Sequence, residues 1–475
     1  MKPHSLYLNG QWVQTPKTIR VVNPANGEAF AEVCMVERAA VKQALTDAHA
    51  AFQGWRKLTG KARGEFLRNV ADQIHRRRDE IARTISLENG KPLAQSLGEV
   101  AMSVDHLQWF AEEARRAYGR TVPHQTDGKR HVIVKTPIGV VGAIGPWNFP
   151  LVLCVRKVAP ALAAGCTVVL KPASATPLCA IAFAECVEAA KVPKGVFQLV
   201  AGQAREIAQG FLENPLCRKI TFTGSTEVGK ELIRGAADSV KPLSLELGGH
   251  APVLVFADAD LDVAIEGTMI TKFRNTGQSC IASNRIYVER SIYEKFLEAF
   301  VAKIRALKTG DAFEEGVAVG PLINEAGLNK ALEHIQDAVK RGARLLCGGK
   351  QVQRKGFFLE PTVLADVPAN AMCMSEETFA PVAAVVPFDS EEEAIQQANN
   401  SNFGLSAYAF TRDLDRAFRL VESLEAGTLG LNDGLPTTSN CPFGGMKQSG
   451  WGRELGIEGM EAFLETKHVS LGVKM

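Results

Sequence analysis

Four short stretches of this chain hold side chains whose types and spacing could do chemistry. In 273–281, Phe-Arg-Asn-Thr-Gly-Gln-Ser-Cys-Ile, Cys280 follows a Gly-Gln turn. A lone cysteine there reads either as a small buried hydrophobe or, if it opens on a cleft that favours its thiolate, as a nucleophile. No GxSxG stretch occurs, so a serine nucleophile has no anchor. In Leu245-Glu246-Leu247-Gly248-Gly249 a glutamate stands between two leucines. The three cannot all face water, so Glu246 is either paired inside the fold or set in a cleft as an acid or base. Lys171, ahead of Pro172-Ala173-Ser174, ends a β-branched run where open parallel sheets bind ligands, a place equally open to an ordinary surface lysine. Finally, Gly224–Lys230 satisfies the first seven positions of GxxxxGK[ST], but Glu231 stands where a nucleotide triphosphatase needs a hydroxyl on magnesium. What remains is a strand (219–223), a glycine-bounded turn and a helix whose first amides could face an anion such as a dinucleotide pyrophosphate.

Positioning such groups requires a scaffold, and the hydrophobic pattern supplies one. Short β-branched runs at 140–144, 167–170, 197–200 and 219–222 alternate with helix-like segments at 150–164, 176–191 and 203–214. Strand, helix, strand at this spacing predicts a parallel sheet wrapped by helices. After about residue 250 a second series begins, with strands predicted at 252–256, 284–289, 316–320 and 405–410 and helices near 260–275, 291–308, 325–341 and 391–399. The fold class is therefore α/β with two parallel-sheet domains. Residues 119–137 alternate like a hairpin turning at Asp127-Gly128, and Glu465–Val473 reads as a terminal strand. Both are elements of the kind that pair with another subunit.

The chain has 475 residues, about three times the ~150-residue prior per domain, and an ordinary soluble composition of 46% hydrophobic and 22% charged residues. Its formal net charge of +2 supplies no global field for nucleic acid or an acidic membrane. The densest basic run, Arg76-Arg77-Arg78, lies among Phe66, Val70, Ile74, Ile81 and Ile85 at helical spacing and reads as the solvated face of one amphipathic helix. Ten scattered cysteines without CxxC, and nine histidines without HxxxH, predict neither a disulfide framework nor a metal site. The uncharged stretch 136–155 is broken by three prolines and three glycines, so no membrane span is expected. The N-terminus lacks the apolar core of a signal peptide, and the cytoplasm is the expected compartment.

Together these stretches resemble the aldehyde dehydrogenase superfamily along essentially the full chain, from Leu6-Tyr-Leu-Asn-Gly-Gln-Trp12 onward. The resemblance rests on Gly145-Pro-Trp-Asn-Phe-Pro150, Lys171-Pro172, Phe222-Thr-Gly-Ser-Thr226 with Gly229, Glu246-Leu-Gly-Gly249, Gly277-Gln-Ser-Cys280, Glu376-Glu-Thr-Phe-Ala-Pro381 and Cys441-Pro-Phe-Gly-Gly-Met-Lys-Gln-Ser-Gly450. It implies that Cys280 attacks the aldehyde, that Asn148 and the Cys280 backbone N–H hold the oxyanion, and that Glu246 is the base for thioester hydrolysis. It likewise implies cofactor contacts at Pro146, Trp147, Lys171, Ser174, Gly224, Ser225, Gly229, Leu247, Glu377 and Phe379. The implied division is a Rossmann-like cofactor domain (1–118 and 138–249), a catalytic domain (250–447) and a β oligomerisation element (119–137 and 448–475), with a homodimer or homotetramer as the assembly.

Relatives that prefer NAD often carry glutamate three residues after the lysine; Ser174 here has no charge to repel a 2′-phosphate, so NADP is expected, with NAD possible. Arg156 and Arg274 fall where they resemble the carboxylate clamp of succinate-semialdehyde dehydrogenases, and Thr437 and Thr438 resemble that subfamily's hydroxyl-bearing loop. Two guanidinium forks would favour an ω-carboxylated aldehyde. The 434–441 loop departs from the subfamily's usual wording, which leaves glutarate semialdehyde or a broader aldehyde range open. Position 282 is alanine, so no Cys-x-Cys redox latch is expected. A non-catalytic binding protein on the same fold is the alternative of another class.

Overall fold

The computed structural model describes residues 2–473. Its first sheet has six strands, with Val140–Ile144 and Thr167–Lys171 side by side and Phe197–Leu199 beyond them. On the other flank of Val140–Ile144 lie Cys217–Thr223 and Leu243–Glu246, and Gly450–Trp451 closes that edge antiparallel. The strands of this sheet's centre are buried end to end, as their apolar runs require once helices cover both faces. Chain order reverses at Val140–Ile144, which leaves a crevice beyond the carboxyl ends of that strand and Cys217–Thr223. The register aligns those ends: Ile144 lies opposite both Lys171 and Phe222, and Thr223 opposite Glu246. Four segments far apart in the chain thus leave the sheet on one side.

A second, seven-stranded sheet runs in the order Arg344–Cys347, Thr362–Ala365, Val382–Phe388, Ser283–Glu289, Ala251–Val255, Ser406–Phe410, Thr428–Leu431. Only the first pair is antiparallel. The expected strand at 316–320 is not part of it. Val317–Val319 pairs instead with Lys308–Thr309 in a separate ribbon, because only Val319 of its three residues is buried and an interior strand must be covered on both faces. Thr362–Ala365 and Val382–Phe388, which periodicity did not single out, fill the sheet.

The hairpin and terminal strand pair with each other: Lys129–Pro137 is central, flanked by Arg120–Val122 and by Leu464–Gly472. Before that last strand the chain revisits the first sheet through Gly450–Trp451 and a short helix at Gly456–Glu461, so only the end of 448–475 reaches the three-stranded sheet. The single amphipathic helix expected around 66–85 is two helices, Gly60–Arg76 and Arg78–Asn89. They part at Arg77, whose guanidinium bridges Glu80 and, at 2.7 Å, Glu185 on Leu178–Ala189. Among the described residues no helix is long and apolar enough to cross a membrane.

Candidate active site

The approach to Cys280 is a sharp left-handed turn. Helix Leu261–Phe273 stops, and Asn275, Thr276 and Gly277 take φ values of 51°, 58° and 71°. Such a conformation costs of order 1–3 kcal/mol per non-glycine residue and persists only where neighbours fix it. Here the Asn275 amide N–H donates to Gln95 Oε1 (2.7 Å), and Asn275 Nδ2 donates to the carbonyls of Asn148 (2.8 Å) and Gln278 (3.0 Å). The Gly320 N–H donates to Thr276 Oγ1 (3.0 Å). At Gly277 an added Cβ would lie 2.3 Å from the Ala380 carbonyl oxygen, so glycine is required.

This turn delivers Cys280 to Glu246: the thiol donates to Glu246 Oε1 across 3.0 Å. Glu246 is the last residue of its strand and is buried; its Oε2 accepts from Thr223 Oγ1 (3.0 Å), which in turn accepts from Lys157 Nζ (2.6 Å). Lys157 also pairs with Glu454 at 2.6 Å. Burial, reinforced by Glu454, raises the Glu246 carboxyl above its usual range, while Arg156 and Lys157 pull it back. Burial and the adjacent Glu246 push the Cys280 thiol well above an ordinary cysteine. The pair therefore rests as thiol and hydrogen-bond acceptor, and the nucleophile forms when the proton leaves.

Asn148 sits on the loop after Val140–Ile144 and directs Nδ2 to the Gln278 carbonyl oxygen (3.2 Å), within the Cys280 turn. Its own carbonyl accepts from Lys91 Nζ (2.7 Å), and Lys91 forms a fully buried ion pair with Glu99 (2.6 Å). The other Glu99 oxygen accepts the Leu151 and Val152 N–H groups at the start of helix Val152–Ala164. One buried pair thus fixes the Asn148 loop at both ends.

On the crevice side, Pro146 and Trp147 leave the same strand, and the Trp147 ring meets Phe379 edge-on at 5.4 Å. Phe379 has φ 55°. Glu377 Oε1 accepts the Gly249 N–H (3.2 Å), and burial pushes its carboxyl up to about 8. Lys171 is buried at its strand end, its ammonium without a hydrogen bond among the described residues, and burial lowers that ammonium to about 8; Ser174 follows it, half-buried. Ser225 is exposed and caps helix Thr226–Ala237 by accepting the Val228 N–H (3.4 Å). Gly224 and Gly229 are packing glycines: an added Cβ would lie 2.4 Å from the Phe222 ring at the first and 2.6 Å from Leu247 at the second. Lys230, which a P-loop would aim at phosphates, instead donates to Gln448 Oε1 (2.8 Å).

On the opposite side of Cys280 lies a cavity of about 280 Å³, walled by Arg156, Arg274, Phe149, Phe443 and Thr437 among others. Arg156 stacks over Phe443 (4.8 Å) and Arg274 over Phe149 (5.4 Å). Arg156 Nε and Thr437 Oγ1 are buried there without hydrogen-bond partners. Thr438 does not join them: it is exposed, and its hydroxyl donates to Asn440 Oδ1 (2.9 Å), because successive residues of an extended loop face opposite ways. Sequence reasoning missed Lys91, Glu99 and Glu454, and gave no role to Lys157 or to Thr223, which lies inside the quoted Phe222-Thr-Gly-Ser-Thr226 stretch. Phe149 and Phe443 did lie inside quoted motifs, but nothing in the sequence gives their side-chain direction. Among the described residues no group of three or more His, Cys, Asp or Glu side chains could hold a metal ion.

A cysteine beside a buried glutamate, between a nucleotide-type crevice and a cavity walled by two arginines, is an arrangement suited to covalent catalysis. The chain matches the model of the aldehyde dehydrogenase family over residues 12–469, and it belongs to that family. It is 47% identical over 469 residues to succinate-semialdehyde dehydrogenase [NADP(+)] of Escherichia coli (strain K12), covering 98% of this chain and 97% of that one. It is also 47% identical to the glutarate-semialdehyde dehydrogenase of Pseudomonas aeruginosa, over 98% of this chain and 97% of the relative. The fold superposes on the crystal structure of an E. coli NADP dependent enzyme with a TM-score of 0.98, at 46% identity, covering 99% and 98% of the two chains. The protein is an aldehyde dehydrogenase, an oxidoreductase that converts aldehydes to acids.

Proposed function

We propose that this enzyme oxidises succinate semialdehyde to the dicarboxylate, with NADP preferred and NAD accepted. One observation carries the reading: Cys280, hydrogen-bonded to Glu246, opens on a cavity that holds two arginines and little other polarity. Thiolate attack on the aldehyde carbon places the developing oxyanion against Asn148 Nδ2 and the Cys280 N–H, a pair of donors of which one alone is typically worth about 10²–10³ in rate. The thiol proton leaves to bulk water before attack, and Glu246 later activates the water that hydrolyses the thioester, its Thr223–Lys157–Glu454 hydrogen bonds holding it in place. Arg156 and Arg274 bind the distal carboxylate, and Thr437 supplies a further donor.

The crevice fits a dinucleotide. The Lys171 ammonium is buried without a hydrogen bond among the described residues, a helix N-terminus lies open at Ser225, and an added Cβ at Gly248 would crowd Glu377 at 3.1 Å. Bound there, the nicotinamide cofactor supplies the hydride acceptor. Pro146, Trp147 and Phe379 would wall its nicotinamide end, Glu377 its ribose, Ser225 and Gly224 the pyrophosphate, with Lys171 and Ser174 at the adenosine ribose. Gly229 and Leu247 shape the floor by packing on each other. Ser174 carries no charge that would repel a 2′-phosphate; two like charges at ~4 Å would cost ~4 kcal/mol at an effective dielectric of ~20.

In this reading residues 1–118 and 138–249 carry the cofactor, 250–447 the nucleophile and much of the aldehyde cavity, and 119–137 with the chain's end the contacts of a cytoplasmic homodimer or homotetramer. Glutarate semialdehyde, one methylene longer, is the second reading, since the same clamp serves it. The deciding experiment measures kcat/KM for succinate semialdehyde, glutarate semialdehyde and a neutral aldehyde of similar length, each with NADP and NAD. A preference of about 100-fold or more for a carboxylated substrate, ~2.7 kcal/mol, is expected. Equal values would return Arg156 and Arg274 to the fold, and a tenfold preference for NAD would overturn the role of Ser174.

A further inference from the structure

A second cavity, of about 370 Å³, lies away from Cys280 where helices Gly60–Arg76 and Leu93–Glu113 meet the three-stranded sheet. Arg56, Lys61, Arg63, Arg115 and Lys135 line it, and no acidic side chain does. Ordinary basic surface interleaves acids with its lysines and arginines, and here the pairing is nearly absent. Lys61 and Arg115 have no carboxylate partner among the described residues, and Arg56 rests only on the Phe52 ring (5.0 Å). Lys135 alone approaches an acid, Glu461 at 3.6 Å.

Arg63 makes this a built site rather than a solvated patch. It is 92% buried, its Nε donates to the Ala163 carbonyl (2.8 Å) and its Nη1 to that of Leu58. Those bonds orient the guanidinium, whose Nη2 makes no hydrogen bond among the described residues, and Arg63 lines the cavity. Lys61 and the first amides of Gly60–Arg76, a helix capped by Thr59, add positive potential. In a chain with a net charge of only +2, five converging cations repel one another unless an anion sits among them. The volume is that of a small-molecule site.

We propose that this cavity binds a small phosphate compound carrying two or more negative charges, recognised by the forks of Arg56, Arg63 and Arg115 with Lys61 and Lys135 as point charges. Inorganic pyrophosphate is the probe. Isothermal titration of the full-length enzyme is done at constant ionic strength without cofactor, and the K61A/R115A double variant tells binding in this cavity from binding in the crevice. Saturable binding of one pyrophosphate per chain with a Kd below about 1 mM is expected. The K61A/R115A double variant alters two exposed side chains that make no ion pair among the described residues, and it should bind at least tenfold more weakly while keeping wild-type kcat/KM for the aldehyde. Absence of saturable binding, or unchanged affinity in the double variant, overturns the proposal.

Discussion

At the scale of single residues, the pairing of Cys280 with Glu246 makes the resting enzyme a thiol. Burial and Glu246 both raise the thiol above its ordinary value, so the thiolate fraction rises as pH rises toward that raised value, by about tenfold per unit below it. Iodoacetamide inactivation should therefore accelerate steadily from neutral into alkaline pH. In Glu246→Gln the negative neighbour is gone, the thiol falls back toward its usual range, and alkylation at neutral pH should be faster than in the wild type; slower alkylation would mean that Glu246 is the base that frees the thiol. The same variant should show a burst of reduced cofactor followed by turnover slowed about 10²–10⁴-fold, seen by rapid-mixing absorbance, because hydrolysis has lost its base. Full turnover would remove Glu246 from the mechanism. Arg274→Ala should raise KM for a carboxylated aldehyde far more than for propanal. Its stacking on Phe149 predicts some structural cost as well, which an equal effect on both substrates would expose.

At the scale of elements, the position of Asn148 is decided by a contact no motif announces. Lys91 and Glu99 bracket the start of helix Leu93–Glu113, and together they hold the Asn148 carbonyl and the first amides of Val152–Ala164. Removing one partner of such a pair leaves an uncompensated buried charge. Lys91→Met should cost about 3–5 kcal/mol of stability, read as a fall in the urea midpoint. It should also lower kcat, because the loop bearing Asn148 loses an anchor. A variant of wild-type stability would show that Glu99 is held neutral or that water replaces the ammonium. The left-handed turn at 275–277 belongs to the same scale: three consecutive residues with positive φ are held by Gln95, Gly320 and the Asn148 carbonyl, which come from distant parts of the chain.

For the whole molecule, the three-stranded sheet leaves two outer edges, at Arg120–Val122 and Leu464–Gly472. Unpaired ladder groups on such edges invite another chain. If this sheet carries the contacts of the proposed homodimer or homotetramer, deleting residues 464–475, which strips the central strand Lys129–Pro137 of one partner, should lower the mass in solution to that of a single chain, checked by light scattering coupled to size-exclusion chromatography. Retention of the wild-type mass would place the contacts elsewhere.

Much of this was legible in order along the chain. β-branched runs alternating with helical periodicity specified two parallel sheets, since a strand buried on both faces must be apolar throughout. Family motifs specified Cys280, Glu246 and Asn148. Local pattern failed where burial depends on a distant neighbour: the half-exposed Val317–Val319 looked like a sheet strand, and the helix around Arg77 broke to reach Glu185. The sequence determined which residues could react, because side-chain chemistry and turn propensity are local properties. Tertiary structure alone decided which of them face one another. Strand register brings Ile144, Lys171, Thr223 and Glu246 to a common edge, and a loop's alternation turns Thr437 into the cavity and Thr438 out to water. Distance and direction between segments are set by packing, which no single stretch of chain contains.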